Sequence, residues 1–128
     1  MKTINKMMTN EEIYQCAIGL MNTFKENEIS MPAAISFSIT KNIKAMTTMA
    51  EEIEKYRIDI LNKYGAKMAD NNMVSIHEDN VDAANKELRD LLTISQEVKV
   101  YVFTIEELSG INLTPTQMEA ILFMIDEE

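Results

Sequence analysis

The residues whose chemistry could support catalysis or metal binding are few in this sequence. His77 is the single histidine, and it begins the run His77-Glu78-Asp79, with Asp82 about one helical turn further on. One imidazole with three carboxylates could bind a cation weakly, but acidic side chains are also favoured at a helix N-terminus by the helix dipole. We interpret the run as a solvated turn before a helix, and we expect neither a metal site nor a cofactor.

Cys16 and the glycines form no catalytic motif either. A single cysteine cannot form an intramolecular disulfide, and Cys16 has no histidine close in sequence that could activate it as a nucleophile. Gly19, Gly65 and Gly110 lie too far apart for a glycine-rich phosphate loop. The sequence therefore predicts a non-enzymatic protein with a structural thiol. A small nucleotide could still bind at a helix N-terminus or an interface, which needs no motif.

The net charge of −9 is distributed unevenly along the chain. Positions 1–70 hold nine basic and nine acidic residues, whereas positions 71–128 hold three basic and twelve acidic residues. This excess disfavours direct binding to a nucleic-acid backbone and favours an acidic face that meets a basic partner. The residues that we expect to form this recognition face are Glu78, Asp79, Asp82, Glu106 and Glu107.

One long helix is the element around which the other elements must be arranged. It is predicted over about 32–64 and would span roughly 50 Å. Its coiled-coil-like apolar seam is formed by Ile35, Ile39, Met46, Met49, Ile53, Tyr56 and Ile60, with Asn42 as a polar exception. The first helix, predicted over about 10–27, is too short to cover the seam alone. Either C-terminal segments of the same chain or the same helix of a second copy must cover it, and the seam's length favours a homo-oligomer.

Helix caps and alternating segments complete the predicted architecture. The spacing of a capping box occurs at Thr9-Glu12, Thr104-Glu107 and Thr114-Gln117. Ser30, followed by Pro32, could cap the long helix. Segments 73–77 and 97–103 alternate between apolar and polar residues and are predicted to pair as a small sheet, with a helix over 79–94 between them.

The predicted fold class is mainly α with a minor α+β part. We expect one domain over 1–128, in which a helical hairpin at 10–65 precedes an acidic α+β subdomain at 73–128 that ends in a C-terminal helix. The chain has no apolar leader at its start and no run of about 18 apolar residues, so the sequence predicts neither secretion nor membrane insertion.

Four features suggest a relationship to a known family. Lys63-Tyr64-Gly65 ends the long helix, and an acidic segment follows at 76–80. A leucine-rich helix ends in Leu91-Leu92, and Leu113-Thr114-Pro115 opens the final helix. In this order the motifs, which lie within residues 35–128, resemble a family of small bacteriophage proteins of unknown function. The resemblance implies a phage or prophage origin and a location in the host bacterial cytoplasm. Its motifs are structural, so it assigns no functional residue.

These observations predict a non-enzymatic, phage-encoded factor that binds a host or phage protein and acts as a homo-oligomer. Inhibition of a bacterial defence system is the role that we favour. A phage assembly accessory protein is one alternative, and a sponge that sequesters a small signalling nucleotide is another. No direct contact with nucleic acid or with a membrane is expected.

Overall fold

The computed structural model describes residues 2–24, 29–65, 67–68 and 74–126. Within these residues the α-helices are α1 (Asn10–Phe24), α2 (Ala33–Lys63), α3 (Val81–Thr93) and α4 (Pro115–Ile121). The strands are β1 (Lys2–Thr9), β2 (Lys67–Met68), β3 (Val74–Ser75) and β4 (Ser95–Val102). Short 3-10 turns lie at Glu78–Asn80, Glu106–Leu108 and Leu122–Met124. The predicted fold class, mainly α with a minor β part, is confirmed.

The predicted capping boxes form and set where helical segments begin. At the start of α1 the Glu12 amide donates to Thr9 Oγ1 at 3.1 Å, and the Thr9 amide donates to Glu12 Oε1 at 3.0 Å. The same reciprocal bonds form at Thr104-Glu107 and Thr114-Gln117. The cap predicted at Ser30 is wrong. Because Pro32 occupies the N-cap position of α2 with an extended backbone (φ −53°, ψ 145°), the helix begins two residues too late for a Ser30 cap.

The main sheet pairs β4 with β1, a strand that the sequence pattern does not indicate. β1 and β4 run antiparallel over their full length, from Lys2 opposite Val102 to Thr9 opposite Ser95. The predicted pairing of segments 73–77 and 97–103 is wrong, since β3 pairs with β2 instead. The first six residues of β1 are exposed, so this strand lacks the apolar alternation by which a half-buried strand is recognised. The predicted last turn of helix 1, at 25–27, and Met73 lie outside the described residues.

One cluster of buried side chains draws on both halves of the chain. Ile13 of α1, Met46 of α2, Val100 of β4 and Ile121 of α4 belong to it and are each 0% exposed. The N-terminal helices and the C-terminal segments therefore share a core.

The apolar seam of α2 is covered largely by the same chain. Ile35, Ile39, Met46 and Ile53 are buried among α1, α3 and β4, which pack against α2. In this conformation these four side chains cannot meet a second copy, which corrects the expectation that they form a self-association surface. Met49 and Ile60 are half-buried and Tyr56 is 55% exposed, so self-association stays a prediction that rests on these three residues.

Asn42, the polar exception in the seam, joins α2 to β4. Its side chain is 0% exposed. Nδ2 donates to the Tyr101 carbonyl at 2.8 Å, and Oδ1 accepts from the Tyr101 amide at 2.9 Å. Two residues further along, the backbone groups of Phe103 point to the same edge and bond to the C-terminal segment. The Phe103 amide donates to the Met124 carbonyl at 3.0 Å, and the Phe103 carbonyl accepts from the Asp126 amide at 2.9 Å. Asn42 thus bonds to β4 as a neighbouring strand would.

Replacing Asn42 by alanine should destabilise the protein by about 2–4 kcal/mol. The variant leaves both backbone groups of Tyr101 without a partner in a buried site, and each unsatisfied group costs roughly 1–3 kcal/mol. Urea unfolding followed by circular dichroism measures the change. Asn62→Ala, at an exposed position of the same helix, is the matched control and should change stability by less than about 0.5 kcal/mol. An equally small effect of Asn42→Ala would contradict the structural role of this amide.

Replacing Met46 by alanine tests whether the seam belongs to the core of one chain. We expect a loss of about 2–5 kcal/mol of unfolding free energy without a change in the mass of the native species. Tyr56→Ala should have a much smaller effect, because most of that side chain is already exposed. Thermal unfolding and light scattering provide the two measurements. A Met46→Ala protein that keeps its stability but dissociates into smaller particles would favour an interface between copies.

Candidate binding groove between α2 and β4

A groove of about 480 Å³ lies between α2 and β4. Its walls include Lys41, Lys44 and Met49 on α2 and Glu97, Lys99 and Tyr101 on β4. At one end, the Asn42 side chain holds the helix against the strand. The groove continues from there toward the start of β4.

β4 presents two residues with unpaired backbone groups to this groove. Along an antiparallel strand, the N–H and C=O groups of alternate residues point to the same edge, and those of Tyr101 point to Asn42 and away from β1. The backbone N–H and C=O groups of Lys99 and Glu97 therefore also point away from β1. No described residue forms a hydrogen bond to these backbone groups from that side. The outer edge of β4 is thus closed at Tyr101 and Phe103 and open at Lys99 and Glu97.

The groove carries positive charge on a protein whose net charge is −9. The Lys41 ammonium lies 5.7 Å from the centre of the Phe37 ring, and the Lys99 ammonium lies 5.6 Å from the centre of the Tyr101 ring. Within the described ranges, no carboxylate forms an ion pair with these lysines or with Lys44. Glu97 is the one acidic side chain among the described residues that line the groove, and it forms no ion pair with these lysines. The lysines therefore outnumber the acid, which favours an anionic group in the groove.

The two sides of the groove differ in polarity. Val98 is buried, so its neighbour Lys99 and the next alternate residue, Tyr101, lie on the face of the sheet turned away from the core. Phe37 packs edge-on against Tyr101, with ring centres 6.0 Å apart and an interplanar angle of 77°. Lys41, Lys99 and the two rings gather on this outer side, whereas the half-buried Met49 and the buried Val98 line the inner side.

The acidic residues predicted to recognise a partner are all exposed and lie in two separate regions, one at the turn before α3 and the first turn of that helix, the other at the turn after β4: Glu78, Asp79, Asp82, Glu106 and Glu107. His77 Nδ1 accepts a hydrogen bond from the Asp79 amide at 3.2 Å, which supports the interpretation of this run as a turn before a helix. Glu107 also caps its own turn. No cluster of three or more His, Cys, Asp or Glu side chains in the described part of the chain is placed to hold a metal ion. Partner recognition by these five acids stays a prediction.

Cys16 lies half-buried beside a second groove, of about 450 Å³, between α1 and α4. Gly19 and Phe123 are among its neighbours there. Burial raises the pKa of the Cys16 thiol, so less of it is ionised at neutral pH. This environment supports the interpretation of Cys16 as a structural thiol.

A polar network around Glu54 joins α1 to α2. Arg57 Nε donates to Glu54 Oε2 at 2.8 Å, and the Tyr14 hydroxyl donates to the same oxygen at 3.3 Å. The hydrogen bond from Arg57 is the main reason why the pKa of Glu54 lies below its usual value. The network links the two helices, and we assign it a structural role.

The groove between α2 and β4 was not predicted from the sequence, although part of its signal is local. Phe37, Lys41 and Lys44 have i, i+4 and i+7 spacing, which places them on one face of a helix. Lys99 and Tyr101 have the i, i+2 spacing that places them on one face of a strand. That the two faces meet depends on Asn42 and Tyr101, which are 59 residues apart in sequence.

No protein-family model, curated protein or solved structure matches this chain. The resemblance to small bacteriophage proteins therefore stays a prediction. None of the helices in the described ranges combines the length and apolar character that crossing a membrane requires.

Cys16 should react with a disulfide reagent such as DTNB roughly tenfold more slowly than glutathione at pH 8. A raised thiol pKa means a smaller thiolate fraction, and the partly buried sulfur is also harder to reach. The absorbance of the released thiolate gives the rate. Protein unfolded in guanidinium is the control and should react as fast as glutathione. A native rate equal to or above that of glutathione would indicate an activated cysteine.

Proposed function

We propose that this protein is a non-enzymatic factor that binds another protein, and that the groove between α2 and β4 is its binding surface. The observation that supports the proposal best is the combination of three lysines that form no ion pair with a described residue and a strand edge left open beside them. The specific role that we favour is inhibition of a bacterial defence system, and the phage origin that the resemblance implies is compatible with it. A phage assembly accessory protein is the alternative role.

The groove offers groups that serve recognition. Lys41, Lys44 and Lys99 supply positive charge, the open edge supplies hydrogen-bond donors and acceptors, and Met49 supplies an adaptable apolar contact. Together these groups can fix the position of a protein segment by charge, by main-chain bonds and by packing.

A protein partner fits the charge of the molecule better than a nucleic acid does. Polyanion binding gains affinity from each neutralised phosphate, and three lysines on a chain of net charge −9 can supply little of that gain. An acidic protein segment needs to meet only the local positive charge. This differs from the acidic recognition face predicted from composition, because the described groove has the opposite sign.

Sequestration of a small signalling nucleotide is a second candidate function. The ring of Phe37 is 45% exposed beside Lys41, so a base could stack where a phosphate meets a lysine. Mass spectrometry of small molecules released by denaturing the purified protein tests this candidate. A nucleotide released in equal molar amount from the unmodified protein and lost in a Lys41→Glu variant would favour it over protein binding.

Site-specific photo-crosslinking in bacterial cells tests the proposed function. A photoreactive residue at Thr48, which lines the groove, should capture one partner that the same residue at Ala83, on the exposed side of α3, does not capture. The partner is identified by mass spectrometry, purified and titrated against the protein. Defence proteins and virion proteins among the captured partners would separate the inhibitor role from the assembly role.

Charge reversal then tests the surface with the purified partner. Lys41→Glu combined with Lys44→Glu should raise the Kd at least about tenfold, since both substitutions oppose an anionic partner. Lys86→Glu combined with Arg89→Glu is the matched control, with the same spacing and the same change in net charge at exposed positions of α3. An equal loss of affinity in both double variants would contradict the assignment of the groove as the binding surface.

A further inference from the structure

We infer that the groove takes an extended segment of the partner, acidic at alternate positions, which adds as a third strand to the open edge of β4. The inference rests on the proposed function, because it states how the partner binds in the same groove. Strand addition obtains affinity from main-chain hydrogen bonds and specificity from every second side chain. The described residues of the groove offer both backbone groups for hydrogen bonds and side chains that can select every second residue of a partner.

The main-chain requirement is met at Lys99 and Glu97. Each residue directs one N–H and one C=O group into the groove, on the edge that faces away from β1. At Tyr101 the same edge already binds a carboxamide, that of Asn42, at 2.8 and 2.9 Å. A side-chain carboxamide presents the same donor and acceptor as a peptide group. The backbone of a bound peptide can therefore form, at Lys99 and Glu97, the same kind of hydrogen bonds that Asn42 forms at Tyr101.

The side-chain requirement follows from the two sides of the groove. Residues of an added strand alternate between the faces of the sheet. On the outer face they would lie beside Lys99 and Glu97 and near Lys41, which lies over the ring that packs on Tyr101. The three lysines of the groove outnumber this one acid, so the face favours acidic residues. On the inner face they would lie beside Val98 and Met49. Acidic residues alternating with apolar residues satisfy both faces, and cross-strand pairs of opposite charge add to the stability of a sheet.

A second copy of this chain fits the open edge less well than an acidic segment. Pairing two copies through their grooves would bring together two surfaces whose described residues each include three lysines, Lys41, Lys44 and Lys99, and only one acid, Glu97. Two surfaces of net positive charge would then meet. Like charges placed opposite each other destabilise a strand pair. The charge of the groove therefore selects a partner of opposite sign.

A model peptide tests the inference directly. The probe is a blocked nine-residue peptide of alternating glutamate and valine, labelled with fluorescein and titrated by fluorescence anisotropy. We expect it to bind the protein at least tenfold more tightly than a peptide of the same composition in which the glutamates are grouped together. Equal binding of the two peptides, or no binding of either at millimolar protein, would overturn the inference.

Backbone methylation of the probe separates strand addition from charge attraction alone. In a strand pair only every second peptide amide faces the protein. N-methylation of either the glutamates or the valines should therefore weaken binding at least tenfold, while methylation of the other set is tolerated. Sensitivity at the glutamates would indicate antiparallel addition, and sensitivity at the valines parallel addition. Equal sensitivity or equal tolerance of the two sets would overturn the inference.

Amide NMR places the peptide on one edge of the sheet. Binding should shift the Lys99 amide resonance and leave that of Asn5 unchanged, because Asn5 pairs opposite Lys99 and points its amide to the outer edge of β1. Shifts at Asn5 without shifts at Lys99 would place the peptide on the wrong edge.

Failure of the inference can be told apart from failure of the proposed function. If the partner crosslinks at Thr48 and its binding depends on Lys41 and Lys44, the proposed protein binding stands. If the two sets of methylated peptides then show equal effects, only strand addition is overturned.

Discussion

The contact between the Asn42 carboxamide and the backbone of Tyr101 is the constraint on which the rest of the structure depends. An amide that is 0% exposed is tolerated in an apolar seam when both its donor and its acceptor are satisfied, and Tyr101 satisfies both at 2.8 and 2.9 Å. Sliding α2 along β4 would leave a buried carboxamide and two backbone groups without partners. The contact therefore fixes the position of the long helix along the strand.

The position of α2 determines both the core and the groove. With Asn42 at Tyr101, Met46 and Ile53 belong to the buried cluster together with Val98 and Val100. The same placement puts lysines of α2 beside the part of the β4 edge that no described residue pairs with. Exposed strand edges are commonly covered or blocked, because they can pair with other chains. The edge of β4 is closed at Tyr101 and open at Lys99 and Glu97, beside positive charge. Such an edge is suited to pairing with a strand of opposite charge from another protein.

Local signals in the sequence predicted much of the helical structure. Thr9 and Thr114 cap helices where their spacing from Glu12 and Gln117 indicated, because a capping box involves neighbouring residues alone. β1 was not predicted, since its first six residues are exposed and its partner β4 lies far along the chain, at Ser95–Val102. The groove was missed for a related reason. Asn42 could be recognised as an exception in the seam, but its partner is a backbone 59 residues away, which no side-chain pattern reveals.

Hydrogen exchange of the individual β4 amides in the free protein tests the central claim most directly. An alternating pattern of exchange rates is expected at pH 7. Val98, Val100 and Tyr101 should exchange slowly, because β1 or Asn42 accepts from their amides, whereas Lys99 and Glu97 should exchange close to the rates of an unstructured peptide. Uniformly slow exchange across the strand would mean that the edge is already paired. That result would contradict the open groove on which both proposals rest.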